Sequence, residues 1–265
     1  MLVLIRGAGD LATGVALRLH RAGLQVVMTD LPQPTAIRRT VCFSQAIVQG
    51  TAVVEGVKAG RAEPETVQAA LQAGEIPVLA DPDCRCLSML RPQVLVDAIL
   101  AKKNLGTAIE NAPVVIGLGP GFAAGKDCHA VIETMRGHAL GRVILEGSAQ
   151  PNTAIPGLIG GYAGERVLRA PADGIFRGCA QIGDIVTEGQ TVGYVGETPM
   201  TCTISGVLRG LLADGTPVHQ GMKSGDVDPR GKKEYCFTAS DKALAIGGGV
   251  LEAILQLTEV LKHDR

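Results

Sequence analysis

Residues 7–14 read Gly7-Ala8-Gly9-Asp10-Leu11-Ala12-Thr13-Gly14. Two glycines one residue apart, with Ala12 three further on, suit the binding of an anion. A helix that starts there has unpaired amides and a partial positive charge, and a pyrophosphate fits such an end. Side chains at positions 7 and 9 would hold it away. Asp30 follows about 20 residues later, where an acid can bind ribose hydroxyls. Its charge disfavours a 2′-phosphate, while Arg38 and Arg39 just beyond could reverse that, so NAD-like and NADP-like ligands both stay open. The bland alternative is a strand–helix turn that binds nothing.

A second glycine turn, Gly117-Leu118-Gly119-Pro120-Gly121-Phe122, follows the apolar run Val114-Val115-Ile116. No Lys-Ser/Thr closes it, so it is not a phosphate loop of the Walker type. Two such turns can converge at the carboxyl ends of neighbouring parallel strands, where ligands of α/β sheets bind. A turn merely packed on its sheet explains Gly117, Gly119 and Gly121 as well. Downstream, His129, Glu133, Arg136 and His138 form the densest titratable set. His129 or His138 could act as acid or base with Glu133 orienting it. A hydrogen-bonded pair on a strand surface is the plain reading.

The elements that must position these residues follow from the periodicity. Residues 2–6 and 26–30 are short apolar runs and read as strands. Between them, apolar residues at 11, 15, 16 and 19 have helical spacing, and Gly23 suits a helix stop. Thr51–Val57, Ile76–Ala80, Val94–Leu100 and Tyr235–Ala239 read as further strands. Glu63-Pro64 opens a helix through Leu71. Cys128–Thr134 and Gly141–Glu146 read as a hairpin. The class is α/β, with a Rossmann-like parallel sheet domain over residues 1–150. Cys84 and Cys86, with Asp81 or Asp83, lack the second pair that a zinc site needs, so no metal is expected.

Residues 147–164 are rich in Gly, Pro, Ser, Asn and Thr and mark a boundary. Beyond it lies a repeat of 32 residues. Gly174, Arg177 and Gly178 recur as Gly206, Arg209 and Gly210; Gly183, Val186 and Gly189 recur as Gly215, Val218 and Gly221. Two short β units of this kind must pack on each other. The pattern over 165–232 resembles the flattened barrel-sandwich of biotinyl and lipoyl domains, with an internal pseudo-twofold repeat. Their hairpin lysine is missing from Gly196-Glu197-Thr198-Pro199-Met200-Thr201, and Lys223 lies in the wrong half. Covalent biotin or lipoate is therefore not expected, and a docking or lid module is. Asp226 and Asp228 read as a solvated turn. Residues 233–265 supply a strand and a helix that pack back on the first domain, the triplet Gly247-Gly248-Gly249 interrupting before a helix over Val250–Leu261.

The 265 residues carry a formal charge of −1, 46% hydrophobic residues, no tryptophan, three tyrosines and four phenylalanines. A nucleic-acid binder would show a basic face or stacking rings, and neither is present. No apolar run is long enough to span a membrane. Seven scattered cysteines, an odd count, fit free thiols in a reducing cytoplasm.

Four segments together resemble one family. They are Arg6 to Gly14; Gly117 to Phe122 with His129-Ala130-Val131-Ile132-Glu133-Thr134; Gly225 to Gly231; and Ser240-Asp241-Lys242-Ala243 with Ile246 to Glu252. Their order and spacing resemble the YqeB-type accessory proteins of selenium-dependent molybdenum hydroxylase systems. The resemblance implies a cytoplasmic maturation role and a molybdenum hydroxylase, or its cofactor-assembly proteins, as partners. Molybdopterin dinucleotide joins NAD(P) as a candidate ligand, because it too carries a pyrophosphate. The alternatives are an NAD(P)-dependent oxidoreductase and a non-catalytic adaptor. The family pattern assigns no catalytic residue and includes none of Cys42, Cys84, Cys86 and Cys128.

Overall fold

The computed structural model describes residues 1–153 and 156–258. They form a mixed α/β structure with one nine-stranded sheet and two four-stranded antiparallel sheets. The chain divides into two compact units. Unit 1 comprises Met1–Pro34, Phe43–Thr153 and Ala239–Arg265; unit 2 comprises Thr35–Cys42 and Ala154–Thr238.

Unit 1 runs β1 (Leu2–Arg6), α1 (Asp10–Arg21), β2 (Gln25–Thr29), α2 (Gln45–Gln49), β3 (Thr51–Val54), β4 (Val57–Arg61), α3 (Val67–Gln72), β5 (Ile76–Leu79), α4 (Leu87–Leu90), β6 (Val94–Asp97), β7 (Val114–Leu118), β8 (Ala130–Ile132), β9 (Val143–Ile144) and α5 (Asp241–Leu257). The sheet order is β3-β4-β5-β2-β1-β6-β7-β8-β9. From β4 to β8 every pairing is parallel, and the hairpins β3/β4 and β8/β9 close the two edges. Continuous apolar runs suit strands covered on both faces. Val3, Leu4 and Ile5 are all fully buried. Leu4, Val27, Leu79, Leu95, Val115 and Val131 share a core with Val67 and Phe122. Burying each such side chain is worth about 1.5–3 kcal/mol.

Helices α1 and α5 pack together and against β1, β2 and β7–β9. Their contact is close because it is lined by glycine. A Cβ on Gly14 would lie 2.5 Å from that of Ala243, and one on Gly247 would lie 2.9 Å from the Gly14 carbonyl oxygen. Ser240 caps α5 by accepting the Ala243 amide at 3.2 Å, as its position before the apolar run suggests.

Unit 2 holds β10 (Val167–Arg169), β11 (Gly174–Gly178), β12 (Ile185–Val186), β13 (Thr191–Val195), β14 (Thr198–Thr201), β15 (Gly206–Leu211), β16 (Pro217–Val218) and β17 (Lys223–Asp228). One sheet has the order β10-β17-β15-β12, the other β14-β13-β11-β16. A shift of 32 residues brings β11, β12 and β13 onto β15, β16 and β17. Phe176, Val192, Met200, Leu208, Leu211 and Val227 fill a common core.

Several elements differ from the sequence expectation. Thr51–Val57 is not one strand, because Glu55 and Gly56 both have positive φ, 47° and 80°, and turn the chain into a hairpin. Strand β6 ends at Asp97, three residues early, and Leu100 (φ 61°) turns the chain away. Residues 233–236 form a 3-10 turn rather than the start of a strand. The carbonyls there are taken by side chains: Arg38 donates to Tyr235 and Thr238, and Thr40 to Cys236. Residues 35–42 and 233–238 therefore belong to unit 2. Helix α5 continues through Gly247–Gly249 without interruption, since close packing on its neighbours needs the missing Cβ atoms. The expected helix end, residues 259–261, lies outside the described residues, as do residues 154–155 of the expected linker.

Candidate functional site

The carboxyl end of β1 carries the first glycine turn, and the strand order reverses at that point. Strand β2 lies on one side of β1 and β6 on the other. Gly7 is required by its surroundings: φ is +107°, and a Cβ would meet the Ala98 carbonyl oxygen at 2.9 Å. Its amide donates to Thr29 at 2.8 Å. Gly9 is different. Space is open over it, its φ is −71°, and among the described residues its amide has no hydrogen-bond partner. The carbonyl of Gly9 accepts the Thr13 amide at 2.8 Å and so begins α1.

Asp30 sits beside this turn. One carboxylate oxygen accepts the Ala8 amide at 2.8 Å and the other the Leu31 amide at 2.7 Å. Burial raises its pKa above the usual carboxylate value, and those two amides pull the other way. A carboxylate oxygen has two lone pairs, so each still has capacity to accept a hydroxyl. Ala12 is buried in the first turn of α1, and Asp10 accepts the Leu11 amide at 2.9 Å.

The second glycine turn is filled by protein. A Cβ on Gly117 would strike Phe122 at 2.5 Å, one on Gly119 the Thr134 hydroxyl at 2.5 Å, and one on Gly121 the Lys103 amide nitrogen at 2.7 Å. These glycines admit neighbouring side chains and backbone. Gly7 and Gly121 press on opposite parts of the same loop, Ala98–Ile99 and Lys102–Lys103. That loop contains two non-glycine residues of positive φ, Leu100 and Lys102.

The titratable set does not assemble as a proton-transfer pair. His129 Nδ1 accepts the Val115 amide at 3.0 Å. Glu133 is buried; its oxygens accept the amides of Met135 at 2.7 Å and Gln150 at 2.8 Å. His138 is exposed. No described hydrogen bond joins Glu133 to either histidine, because backbone amides occupy both oxygens. Arg136 pairs with Asp241 at 2.8 Å. Arg38 and Arg39 are engaged inside unit 2, Arg38 as above and Arg39 donating to Leu211 at 2.8 Å. Burial lowers the Arg39 pKa.

One pair escaped the sequence reading. Arg6 and Asp97 end the paired strands β1 and β6 and meet at 3.4 Å. Thr107 donates to Asp97 at 2.6 Å, and Arg6 reaches the Pro82 and Leu105 carbonyls. The available signal was an opposite charge at the last position of each buried strand. Cys84 lies beside Thr29, with 3.5 Å between hydroxyl oxygen and sulfur. Six of the seven cysteines are buried and all are free. Among the described residues no set of three or more His, Cys, Asp or Glu could hold a metal ion, and no helix is long and apolar enough to cross a membrane.

Asp226 and Asp228 are not a solvated turn. They are 2% and 0% exposed, at the end of β17, where Arg209 bridges them at 2.7 and 3.0 Å. Arg166 reaches Asp226 at 3.2 Å and Arg230 reaches Asp228 at 2.6 Å. A strand with β10 and β15 on either side carries its last residues inward.

No family model matches the chain. Two solved structures share little with it. A succinylglutamatedesuccinylase/aspartoacylase from Rhodobacter sphaeroides is 21% identical over 24% of this chain and 22% of that one, with a TM-score of 0.22. An aspartoacylase family protein from Mesorhizobium loti is 9% identical over 85% and 84%, with a TM-score of 0.26. The curated protein YqeB of Escherichia coli (strain K12), described as uncharacterized, is 54% identical over 257 residues, 97% of this chain and 48% of its own length. The chain thus spans about half the length of that relative. Identity at that level along nearly all of these residues leaves one assignment: the chain belongs to the YqeB family.

Proposed function

We propose that unit 1 is a Rossmann-type domain that binds a pyrophosphate-bearing nucleotide at the carboxyl end of β1. On this reading the chain is a cytoplasmic accessory protein that handles such a ligand while a selenium-dependent molybdenum hydroxylase is matured. The observation that carries the ligand reading is the open space and undonated amide at Gly9, at the strand-order reversal. The order of the parallel strands, β5-β2-β1-β6-β7-β8, has the pattern of dinucleotide-binding sheets, whose ligands lie at that reversal. Gly9, Asp10 and Ala12 then face the pyrophosphate, and Asp30 takes ribose hydroxyls on its spare lone pairs. NAD(P) and molybdopterin dinucleotide share this chemistry. The hydroxylase partner and the maturation role rest on the family resemblance.

Unit 2 supports a barrel-sandwich reading, since the repeat exchanges its two sheets. The turn between β13 and β14 contains Gly196 and Glu197 and no lysine, so this reading assigns no covalent biotin or lipoate. An NAD(P)-dependent oxidoreductase is the weaker alternative, because the Nδ1 of His129 already holds a strand amide. For a pure adaptor, deleting unit 2 would abolish capture of the hydroxylase and nucleotides would not bind.

Calorimetry on the whole chain with NAD(H), NADP(H) and cytidine nucleotides tests the proposal. Binding to at least one, weakened tenfold or more by Gly9→Ala, is expected. The absence of heat with every nucleotide, and with molybdopterin dinucleotide, would overturn it.

A further inference from the structure

The loop between β5 and α4 carries Asp81-Pro82-Asp83-Cys84-Arg85-Cys86. Asp81 organises it: its backbone carbonyl accepts the Cys84 amide at 3.2 Å, and its carboxylate accepts the Cys86 amide at 2.8 Å. Cys84 has a positive φ of 55°, uncommon for a residue with a side chain. The two cysteines stand two residues apart in this turn, and each thiol acts electrostatically on the other, as the Asp81 carboxylate does on Cys86. The Thr29 hydroxyl lies 3.5 Å from the Cys84 sulfur, and the charge of Arg6 acts on it. We propose that Cys84 and Cys86 form a thiol–disulfide exchange site for a small disulfide, with Cys84 as the attacking sulfur and Cys86 as the resolving one.

The two sulfurs have different environments. The Cys86 thiol, the Thr29 hydroxyl and Arg6 favour a thiolate at Cys84, against the cost of burial, and hold its pKa below the ordinary thiol value. Cys86 is pushed the other way by Cys84, by burial and by Asp81, and keeps its proton. The thiolate is the nucleophile in exchange. The Cys84 thiolate attacks one sulfur of the disulfide RS–SR, forming Cys84–S–S–R and releasing RS⁻. Cys86 passes its proton to Asp81 and attacks the Cys84 sulfur. The intraloop disulfide forms, and the second R group leaves as RS⁻, which takes the proton. Two protein thiols are oxidised and one small disulfide is reduced to two thiols. Both residues are buried, Cys84 at 8% exposure and Cys86 at 4%.

The chain offers a direct assay. Trypsin cuts after Arg85, between the two cysteines, so residues 62–85 and 86–102 separate unless the disulfide joins them. Whole protein is equilibrated in mixtures of reduced and oxidised glutathione, quenched in acid, alkylated, digested and weighed. A joined peptide pair that grows with the oxidised fraction and is lost on reduction is expected. Exposed Cys179 reports that the oxidant is active. If Cys179 becomes glutathionylated while the two peptides stay separate at every ratio, the proposal is overturned. Cys86→Ser is expected to trap glutathione on Cys84, whereas Cys84→Ser leaves Cys86 unmodified; the reverse pattern also overturns it. The wild-type digestion decides the matter even if a serine variant folds poorly.

Discussion

The carboxylate of Asp30 receives the amide of Ala8 at 2.8 Å, so the acid that follows β2 and the glycine turn that follows β1 are bonded to each other. Burial raises the Asp30 pKa above its unfolded value of about 3.9. The folded protein then binds a proton at a pH where the unfolded chain is still ionised. This group's contribution to stability is fully present below the unfolded pKa and is lost as pH rises through the folded one. Urea unfolding at a series of pH values should show that component in the wild type and its loss in Asp30→Asn. An identical pH slope in both proteins would contradict the assignment.

Gly7 and Gly9 should separate folding from binding. Gly7→Ala puts a Cβ against the Ala98 carbonyl at an unfavourable φ and should lower stability by about 1–3 kcal/mol. Gly9→Ala meets open space at a φ of −71° and should melt close to the wild type. Its effect should appear as a loss of nucleotide affinity in calorimetry. Equal melting temperatures for the two variants would refute the distinction.

Helix α5 makes the same point with adjacent residues. Gly249 lies against the Gly141 carbonyl, and Gly248 faces open space. Gly248→Ala should stabilise by about 0.5–1 kcal/mol through helix propensity. Gly249→Ala should destabilise by about 1–3 kcal/mol or more, since backbone must move. Thermal melting of the pair gives opposite signs if α5 is continuous there.

The Arg209 bridge in unit 2 should be costly to break. Arg209→Met leaves two buried carboxylates short of a partner and should lose about 3–5 kcal/mol in denaturant titrations. Burial alone would raise the Asp228 pKa, but the hydrogen bonds and charge of Arg230, with the charge of Arg209, hold it below the usual value. Its contribution to stability is therefore present above the unfolded pKa and is lost as pH falls through the folded one. Acid unfolding of the wild type should steepen in that range, and Arg209→Met should flatten it.

Glu133→Gln tests the plain reading of the titratable set. The variant keeps one carbonyl acceptor for two amides, Met135 and Gln150, and turns an NH₂ group toward the other. A loss of about 1–3 kcal/mol is expected. Nucleotide affinity should not change, and a large change in affinity with unchanged stability would reverse the reading.

Much of unit 1 was legible because strands buried on both faces and an amphipathic helix leave local patterns. Val3-Leu4-Ile5 and the spacing of Leu11, Val15, Ala16 and Leu19 report their own backbone states. The 32-residue repeat was visible for the same reason, since each copy needs the same turns and inward side chains. The two-residue turn at Glu55-Gly56 was hidden inside an apolar run. The triplet Gly247–Gly249 misled because local propensity counts glycine against a helix, while α5 uses Gly247 and Gly249 to approach its neighbours.

The sequence by itself determined which residues are strand, turn and helix around β1, and that Gly7 and Gly9 stand where that strand ends. Only the tertiary structure decided what occupies the space beside each glycine. Lys103 fills it at Gly121, Ala98 at Gly7 and Gly141 at Gly249, while nothing fills it at Gly9. Backbone conformation is written within a few residues of chain. The occupant of a gap comes from segments far along it, brought together only when the sheet and helices pack.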